Sequence, residues 1–283
     1  MNVDGHDMSC RFGSHAHCFM QTVYRKIRLE EGGNMLSPKK VLVVLAHPDD
    51  ETFLCGGTIA ALSERNVHIT LLCATKGEMG RRMGNPIFAT RESLPELRVS
   101  ELKNACEELG INDLKFLHLR DKMVEFESDN SLAVRIVKVI REIQPDALIT
   151  FHERFGGHPD HCAIGRAAEM AFLNSGDAGF YPDAVFSAFK VQSLYFVLWH
   201  AFYDQWVMEN GLSRIIRVNI AGTLRRKVRA LRCHRSQTLA FPELWGNQLQ
   251  SLPFLSGYEY FINTTSPINM EETDLFRTIS KLG

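Results

Sequence analysis

Apolar residues along this chain fall into two rhythms. Val41-Leu42-Val43-Val44-Leu45 and Ala147-Leu148-Ile149-Thr150-Phe151 are short continuous apolar runs, as in strands buried on both faces, and Val67 to Cys73 and Leu114 to Leu119 are further strand candidates. Between them lie segments of helical period. Thr58 to Arg65 reads as a short helix behind Cys55-Gly56-Gly57, and Glu96 to Leu109 as an amphipathic helix stopped by Gly110. Leu132, Ile136, Val139, Ile140 and Ile143 mark one face of a helix ending before Pro145, and a further helix runs from Ala163 to Phe172. Strand and helix alternating at this spacing predict an α/β fold with a doubly wound, mostly parallel sheet. Beyond Asn174 the pattern thins: strand within Val185 to Leu198, helix over Leu224 to Cys233, and no assignment for the last 40 or so residues. Gly56-Gly57 lacks the three-glycine spacing of a dinucleotide fingerprint and the Lys-Ser/Thr of a P-loop, so close packing is the better account of it.

The chain has 283 residues, 45% hydrophobic and 23% charged, with a net charge of -1. These are values of an ordinary globular protein, and they give no ground for a nucleic-acid partner. No apolar stretch approaches the roughly 20 residues of a membrane-spanning helix. Seven cysteines without CxxC pairing fit reduced thiols in the cytoplasm better than a disulfide framework. Residues 1–34 have no convincing periodicity and no secretory core; the expectation is a disordered or non-native extension, with a metal site at His15, His17 and Cys18 as the sharper alternative. Glu30-Glu31-Gly32 is the translation of a purine tract like a ribosome-binding site, so Met35 is a candidate natural start, and residues 35–283 are expected to form a single domain.

The chemistry gathers at two strand ends. Ala46-His47-Pro48-Asp49-Asp50-Glu51 follows the first apolar run, and His158-Pro159-Asp160-His161 follows the fourth by a short loop. Ligands of an open parallel sheet bind outside the carboxyl ends of its strands, so clusters far apart in sequence can meet there. A catalytic zinc needs three protein ligands and an open position. His47 and Asp50, three apart across Pro48, can aim at one point, with His161 as third ligand. Such an ion lowers the pKa of a bound water toward 7. Asp49 is then placed as general base, and His158 opposite it to stabilise the oxyanion and protonate the leaving amine. Asp160 would hold His158 as the cation. For either cluster alone a plain helix-capping role competes; two at one sheet edge favour the metal.

At these residues the chain resembles the LmbE/PIG-L zinc-dependent N-deacetylases. The likeness runs from about Lys40 to Gln237 and includes Arg98-x-x-Glu101, Leu119-Arg120-Asp121 and Arg232-Cys233-His234-Arg235-Ser236-Gln237. It implies a Rossmann-like three-layer α/β/α sandwich. It implies one zinc, or another divalent metal, per subunit on His47, Asp50 and His161, with Asp49 as base and His158 with Asp160 as electrostatic pair. It places Arg98 and Asp121 against the sugar. Within the family, the long loop Thr75 to Pro95, with Lys76-Gly77-Glu78-Met79-Gly80-Arg81-Arg82, looks most like the second type of bacillithiol-biosynthesis deacetylase, which removes acetate from N-acetylglucosaminyl-malate. Glu78, Arg81, Arg82 and Arg91 are the expected further substrate contacts, since guanidinium groups bind carboxylates bidentately; a solvated loop is the alternative. The likeness thus implies a small-molecule N-acetylated glycoside as partner, a cytoplasmic site of action and room for a homo-oligomer. His152-Glu153-Arg154 carries more charge than the family pattern, and the part beyond Gln237 is longer. His234 stands open between the metal cleft and a helix-end role. Two other functions remain: an amidase for another N-acetylated sugar or thiol conjugate, and a non-catalytic, metal-stabilised binding protein.

Overall fold

The computed structural model describes residues 39–264 except 183, 184, 213, 247 and 248. The boundary expected at residue 34, the candidate start at Met35 and the histidines and cysteines of the N-terminal stretch lie outside the described residues. In chain order the elements are β1 (Lys40–Leu45), α1 (Asp50–Ser63), β2 (His68–Thr75), α2 (Leu94–Leu109), β3 (Asp113–Leu119), α3 (Asp129–Ile143), β4 (Ala147–Phe151), α4 (Pro159–Asn174), β5 (Ser193–Leu198), α5 (Tyr203–Asn210), β6 (Ile215–Asn219), α6 (Leu224–Cys233) and β7 (Tyr258–Asn263). The sheet runs β3-β2-β1-β4-β5-β7-β6. β3 through β5 are parallel, while β7 pairs antiparallel with both β5 and β6. Helices α1 and α2 pack with α6, and α3 packs with α4; each pair joins parallel strands, so right-handed crossovers put them on opposite faces. This is the expected α/β three-layer sandwich with a mostly parallel sheet.

The runs of β1 and β4 become strands because neither face can meet water. Val41 through Leu45 and Ala147 through Phe151 are buried throughout. Helix ends follow local chemistry. Ser128 Oγ accepts the Ser131 amide at 3.2 Å and starts α3, and Gly110 takes the left-handed conformation that ends α2. Residues 76–93 contain neither helix nor strand, as their composition indicates.

The structure departs from the sequence reading in three respects. First, α1 begins at Asp50, directly after the first cluster, and takes in Gly56-Gly57. A Cβ on Gly57 would lie 2.6 Å from Ile220, so Gly57 serves packing, against the segment leading into α6. The helix is interrupted at Cys55, whose φ is -144°. The amides of Gly57 and Thr58 instead donate to the two Glu259 carboxylate oxygens, at 2.9 and 2.8 Å. Lys227 of α6 neutralises Glu259 at 2.7 Å in a fully buried pair. Second, β6 and β7 lie in the unassigned region. Third, α4 begins at Pro159 rather than after His161, which puts Asp160 and His161 on its first turn.

Candidate metal centre and active site

β1 and β4 are neighbours, so the loops leaving their carboxyl ends meet. His47 Nδ1 lies 3.1 Å from His161 Nε2. Asp50 Oδ1 lies 3.3 Å from His161 Nε2, and Asp50 Oδ2 lies 3.5 Å from His47 Nδ1. Ligands on a tetrahedral zinc at 2.0–2.1 Å stand about 3.3 Å apart; the separations here are of that order, with the two histidines meeting different oxygens of Asp50.

The other atoms of each ring decide which nitrogens are free. His161 Nδ1 meets the Gly156 carbonyl at 2.8 Å, and the ring stacks on Phe151 with centroids 4.0 Å apart. A carbonyl can only accept, so Nδ1 carries the proton and Nε2 presents a lone pair. His47 Nε2 faces Asp121 Oδ1 and Asp160 Oδ2, both at 3.2 Å, which assigns its proton to Nε2 and leaves Nδ1 as a lone pair. Two lone pairs and a carboxylate converge with no donor among them, an arrangement that calls for a cation. The two rings also have the carbonyl and carboxylate partners that orient metal-ligating histidines. Electrostatics agree. Burial works to lower the His47 pKa, but Asp121, Asp160 and Asp50 outweigh it and hold it well above the ordinary value. Burial works to raise Asp50, and the imidazoles of His161 and His47 hold it well below. The cluster is built to retain positive charge.

Two other ligand groupings come within range: His47 with His158 and His161, and His47 with Asp121 and Asp160. Their oxygens and nitrogens are already engaged. Asp160 accepts the amides of Lys122 at 2.8 Å and Glu125 at 3.2 Å; Asp121 accepts the Met79 amide at 2.8 Å. His158 caps α4, its Nδ1 accepting the Asp160 amide at 3.2 Å. In the set His47, Asp50 and His161, the atoms His47 Nδ1, His161 Nε2 and Asp50 Oδ1 accept no backbone amide, while Asp50 Oδ2 accepts that of His47 at 2.8 Å.

Asp49 sits beside this cluster with φ +121° and ψ -24°. Such a conformation costs a residue with a Cβ of order 1–3 kcal/mol and persists only where surroundings impose it. Here they do. Glu51 Oε2 accepts the Asp49 amide at 3.0 Å. Arg98 Nη2 donates to Asp49 Oδ2 at 3.0 Å and also to the Pro48 carbonyl. Burial raises the Asp49 carboxyl to about 6 although Arg98 pulls it down. That is a value suited to taking up and releasing a proton near neutrality.

Several expected partners are arranged differently. The Asp160 carboxylate turns to His47, so it does not hold the His158 ring as a cation. Burial and the neighbouring His47 and His161 lower the His158 pKa, and its capping bond puts the proton on Nε2. Arg98 is 4% exposed, and its terminal nitrogens donate to Gly77 O, Pro48 O and Asp49, so it shapes the loop. Gly77, at φ +66°, leaves the room: a Cβ there would fall 2.1 Å from the guanidinium. Asp121 stands behind His47, its amide donating to Glu78 Oε1 at 2.9 Å. Arg91 Nη1 ties down the carbonyls of Glu78 and Gly80 at 2.9 and 2.8 Å, and Arg82 lies 4.7 Å over the Phe241 ring. Arg81 is exposed. Of the four, Glu78 and Arg91 are thus in contact, while Arg82 turns to Phe241.

Sequence reasoning left Glu51 without a role and His234 undecided. His234 is fully buried and meets Glu51 Oε1 at 2.8 Å. Burial works against its charged form, and Glu51 outweighs it and raises the pKa. The late motif also anchors the long loop. Glu101 accepts the Ser236 amide and hydroxyl at 2.7 and 2.6 Å, while the Ser236 carbonyl accepts the Gly84 amide at 3.0 Å.

The family model described as PIG-L, GlcNAc-PI de-N-acetylase, matches residues 42–172. A Bacillus subtilis protein named "Probable N-acetyl-alpha-D-glucosaminyl L-malate deacetylase 2" is 51% identical over 131 residues, 46% of this chain and 59% of its own length. The chain thus spans about three-fifths of that relative. Among solved structures, N,N'-diacetylchitobiose deacetylase from Pyrococcus horikoshii superposes with a TM-score of 0.63 at 22% identity, covering 90% of this chain and 94% of its own. GalB, the 4-carboxy-2-hydroxymuconate hydratase of Pseudomonas putida, has a TM-score of 0.64 at 19% identity, covering 82% and 98%. A deacetylase and a hydratase share this fold, so the reaction must be argued from the site.

Proposed function

We propose, for a chain whose residues 42–172 match the PIG-L family model, zinc-dependent hydrolysis of the N-acetyl group of an N-acetylglucosaminide, with N-acetylglucosaminyl-L-malate as first candidate substrate. The observation that carries this reading is the convergence of His47 Nδ1, His161 Nε2 and an Asp50 carboxylate at 3.1–3.5 Å, beside a strained and buried Asp49. His47, Asp50 and His161 would hold the ion. When bound, zinc supplies a Lewis acid and a water acidified toward neutrality.

The remaining work falls to side chains. Asp160 and Asp121 fix the His47 ring. Arg98 occupies Asp49 Oδ2, which leaves Oδ1 to take the proton of the attacking water. His158, neutral with its proton on Nε2, donates a hydrogen bond to the oxygen that becomes negative as the amide carbonyl turns tetrahedral. A neutral imidazole is a poor acid, so the proton taken by Asp49 passes to the nitrogen as the C–N bond breaks. Acetate and a free amine leave. This differs from the two-group scheme expected above, because His158 has no carboxylate to charge it.

The malate aglycone rests on the likeness to the Bacillus relative. One observation favours a different acceptor: Arg91 and Arg82 are engaged within the protein, which leaves Arg81 as the loop arginine open to a carboxylate. No described helix is long and apolar enough to cross a membrane, and a small glycoside is the substrate class proposed. The five described cysteines are all unpaired, which supports a cytoplasmic site of action. The test is a panel of N-acetylated glycosides, including the malate conjugate and plain N-acetylglucosamine, assayed for free amine with and without a chelator. Amine release from a glucosaminide, abolished by chelation, is the expected result. Metal binding with no amine release from any member would favour the binding-protein reading.

A further inference from the structure

Glu51 and His234 are the most deeply buried ionisable pair beside the site, and the mechanism above does not use them. Glu51 is 1% exposed and His234 0%. Each Glu51 oxygen has its own task. Oε2 accepts the amide of Asp49, and Oε1 takes the Thr52 hydroxyl and His234 Nε2. His234 Nδ1 is buried without a hydrogen-bond partner, a loss the fold accepts while Nε2 meets Glu51 at 2.8 Å and, more distantly, the Thr52 hydroxyl at 3.4 Å. The amide that Glu51 holds belongs to the one residue of the site with a strongly strained backbone.

We propose that the Glu51–His234 pair is a positioning device for Asp49: it clamps the Asp49 amide and so keeps the backbone at φ +121°, with the carboxylate turned toward the reacting water. Arg98 grips the same residue from the opposite side through the Pro48 carbonyl and Oδ2. The clamp makes the base depend on the segment that ends α6, far from the two motifs in sequence. Helix capping by Glu51 would also place an acid in the first turn of α1, but capping needs neither a strained neighbour nor a buried histidine. The inference rests on the deacetylase reading for its catalytic consequence and on geometry alone for the clamp.

The test joins kinetics with a structure. Glu51→Ala should lower kcat about 10²-fold, within the range of a lost base, with KM changed less than about threefold and a full equivalent of metal retained. Glu51→Gln, which keeps an oxygen for the Asp49 amide, should recover most of the loss. In an Asp49→Asn background the same Glu51→Ala change should cost less than about threefold, because residues acting through one another are not additive. A purely structural Glu51 would cost the same in both backgrounds, and that result overturns the proposal. Should Glu51→Ala not fold, His234→Ala enters the same cycle with the same expectation. A crystal structure of the folded Glu51→Ala or His234→Ala variant should show Asp49 relaxed out of positive φ. An Asp49 still near +121° refutes the clamp even if no substrate is ever found, whereas an inactive wild type with a relaxed variant refutes only the deacetylase reading.

Discussion

Two loops leave the same sheet edge from neighbouring strands, and they are built in opposite ways. The loop after β1, residues 46–49, is short and buried, and its functional groups hold one another: Glu51 and Arg98 fix Asp49, Asp50 accepts the His47 amide at 2.8 Å, and Asp160 with Asp121 fixes the His47 ring. The loop after β2, residues 76–93, is long, and its cations hold its own backbone, as Arg91 does at Glu78 and Gly80. The first loop is a preorganised site. The second is a wall shaped by its own arginines, with one of them, Arg81, unspent. A polar side chain near a cleft is therefore a site residue only when its hydrogen bonds leave the reactive atom free.

The comparison breaks most visibly at the first loop. His47→Ala or His161→Ala should abolish metal binding and amine release together, because two remaining donors hold zinc poorly; elemental analysis showing a full equivalent in both variants would defeat the ligand assignment. Asp49→Asn should keep the metal and lose about 10²–10⁴-fold in kcat. Loss of metal from Asp49→Asn with retention in Asp50→Asn would exchange their roles. Arg98→Ala removes charged hydrogen bonds from Asp49 and Pro48, worth about 1.5–3 kcal/mol, and should depress kcat on plain and malate-bearing glycosides alike. A loss confined to the malate-bearing glycoside would instead place Arg98 against the aglycone.

The second loop should respond more weakly and more selectively. Arg81→Gln should weaken the malate glycoside by about 1.5–3 kcal/mol and spare plain N-acetylglucosamine. Arg91→Gln and Arg82→Gln should affect both substrates equally, by a few fold, as changes of wall shape. Selectivity at Arg91 in place of Arg81 would mean that the loop rearranges around substrate. The smallest effect concerns pH. With Asp49 raised to about 6 by burial, activity should fall as acid protonates the base, at about that pH or lower once a cation stands nearby. That limb should vanish in Asp49→Asn.

Legibility in the sequence followed how local the physics is. β4 and α6 begin and end where their apolar patterns do, because burial on both faces or one helical stripe is written in consecutive residues. That His47, Asp50 and His161 come together was legible for the same reason: His47 and Asp50 lie at one strand end, and His161 opens a helix after a parallel strand. α1 was misjudged because Gly56-Gly57 looks like punctuation, and only Ile220, far along the chain, shows why the helix needs it. β6, half buried in alternation, and β7, paired with strands on both sides, join the sheet through partners no local window contains. Asp160 was assigned to the adjacent His158, yet its carboxylate turns to His47, since the first turn of α4 faces back into the sheet edge. The tasks of Glu51, His234 and Arg98 are likewise set by contacts across the fold.

The central claim is that the His47, Asp50 and His161 cluster holds the ion on which amide hydrolysis depends. It is tested by stripping the purified protein of metal and adding back one equivalent of zinc while following free amine from N-acetylglucosaminyl-malate. The account predicts no release from the stripped protein, recovery that saturates at one equivalent, and neither binding nor recovery in His161→Ala. Full activity in the metal-free protein, or recovery undiminished in His161→Ala, would contradict it.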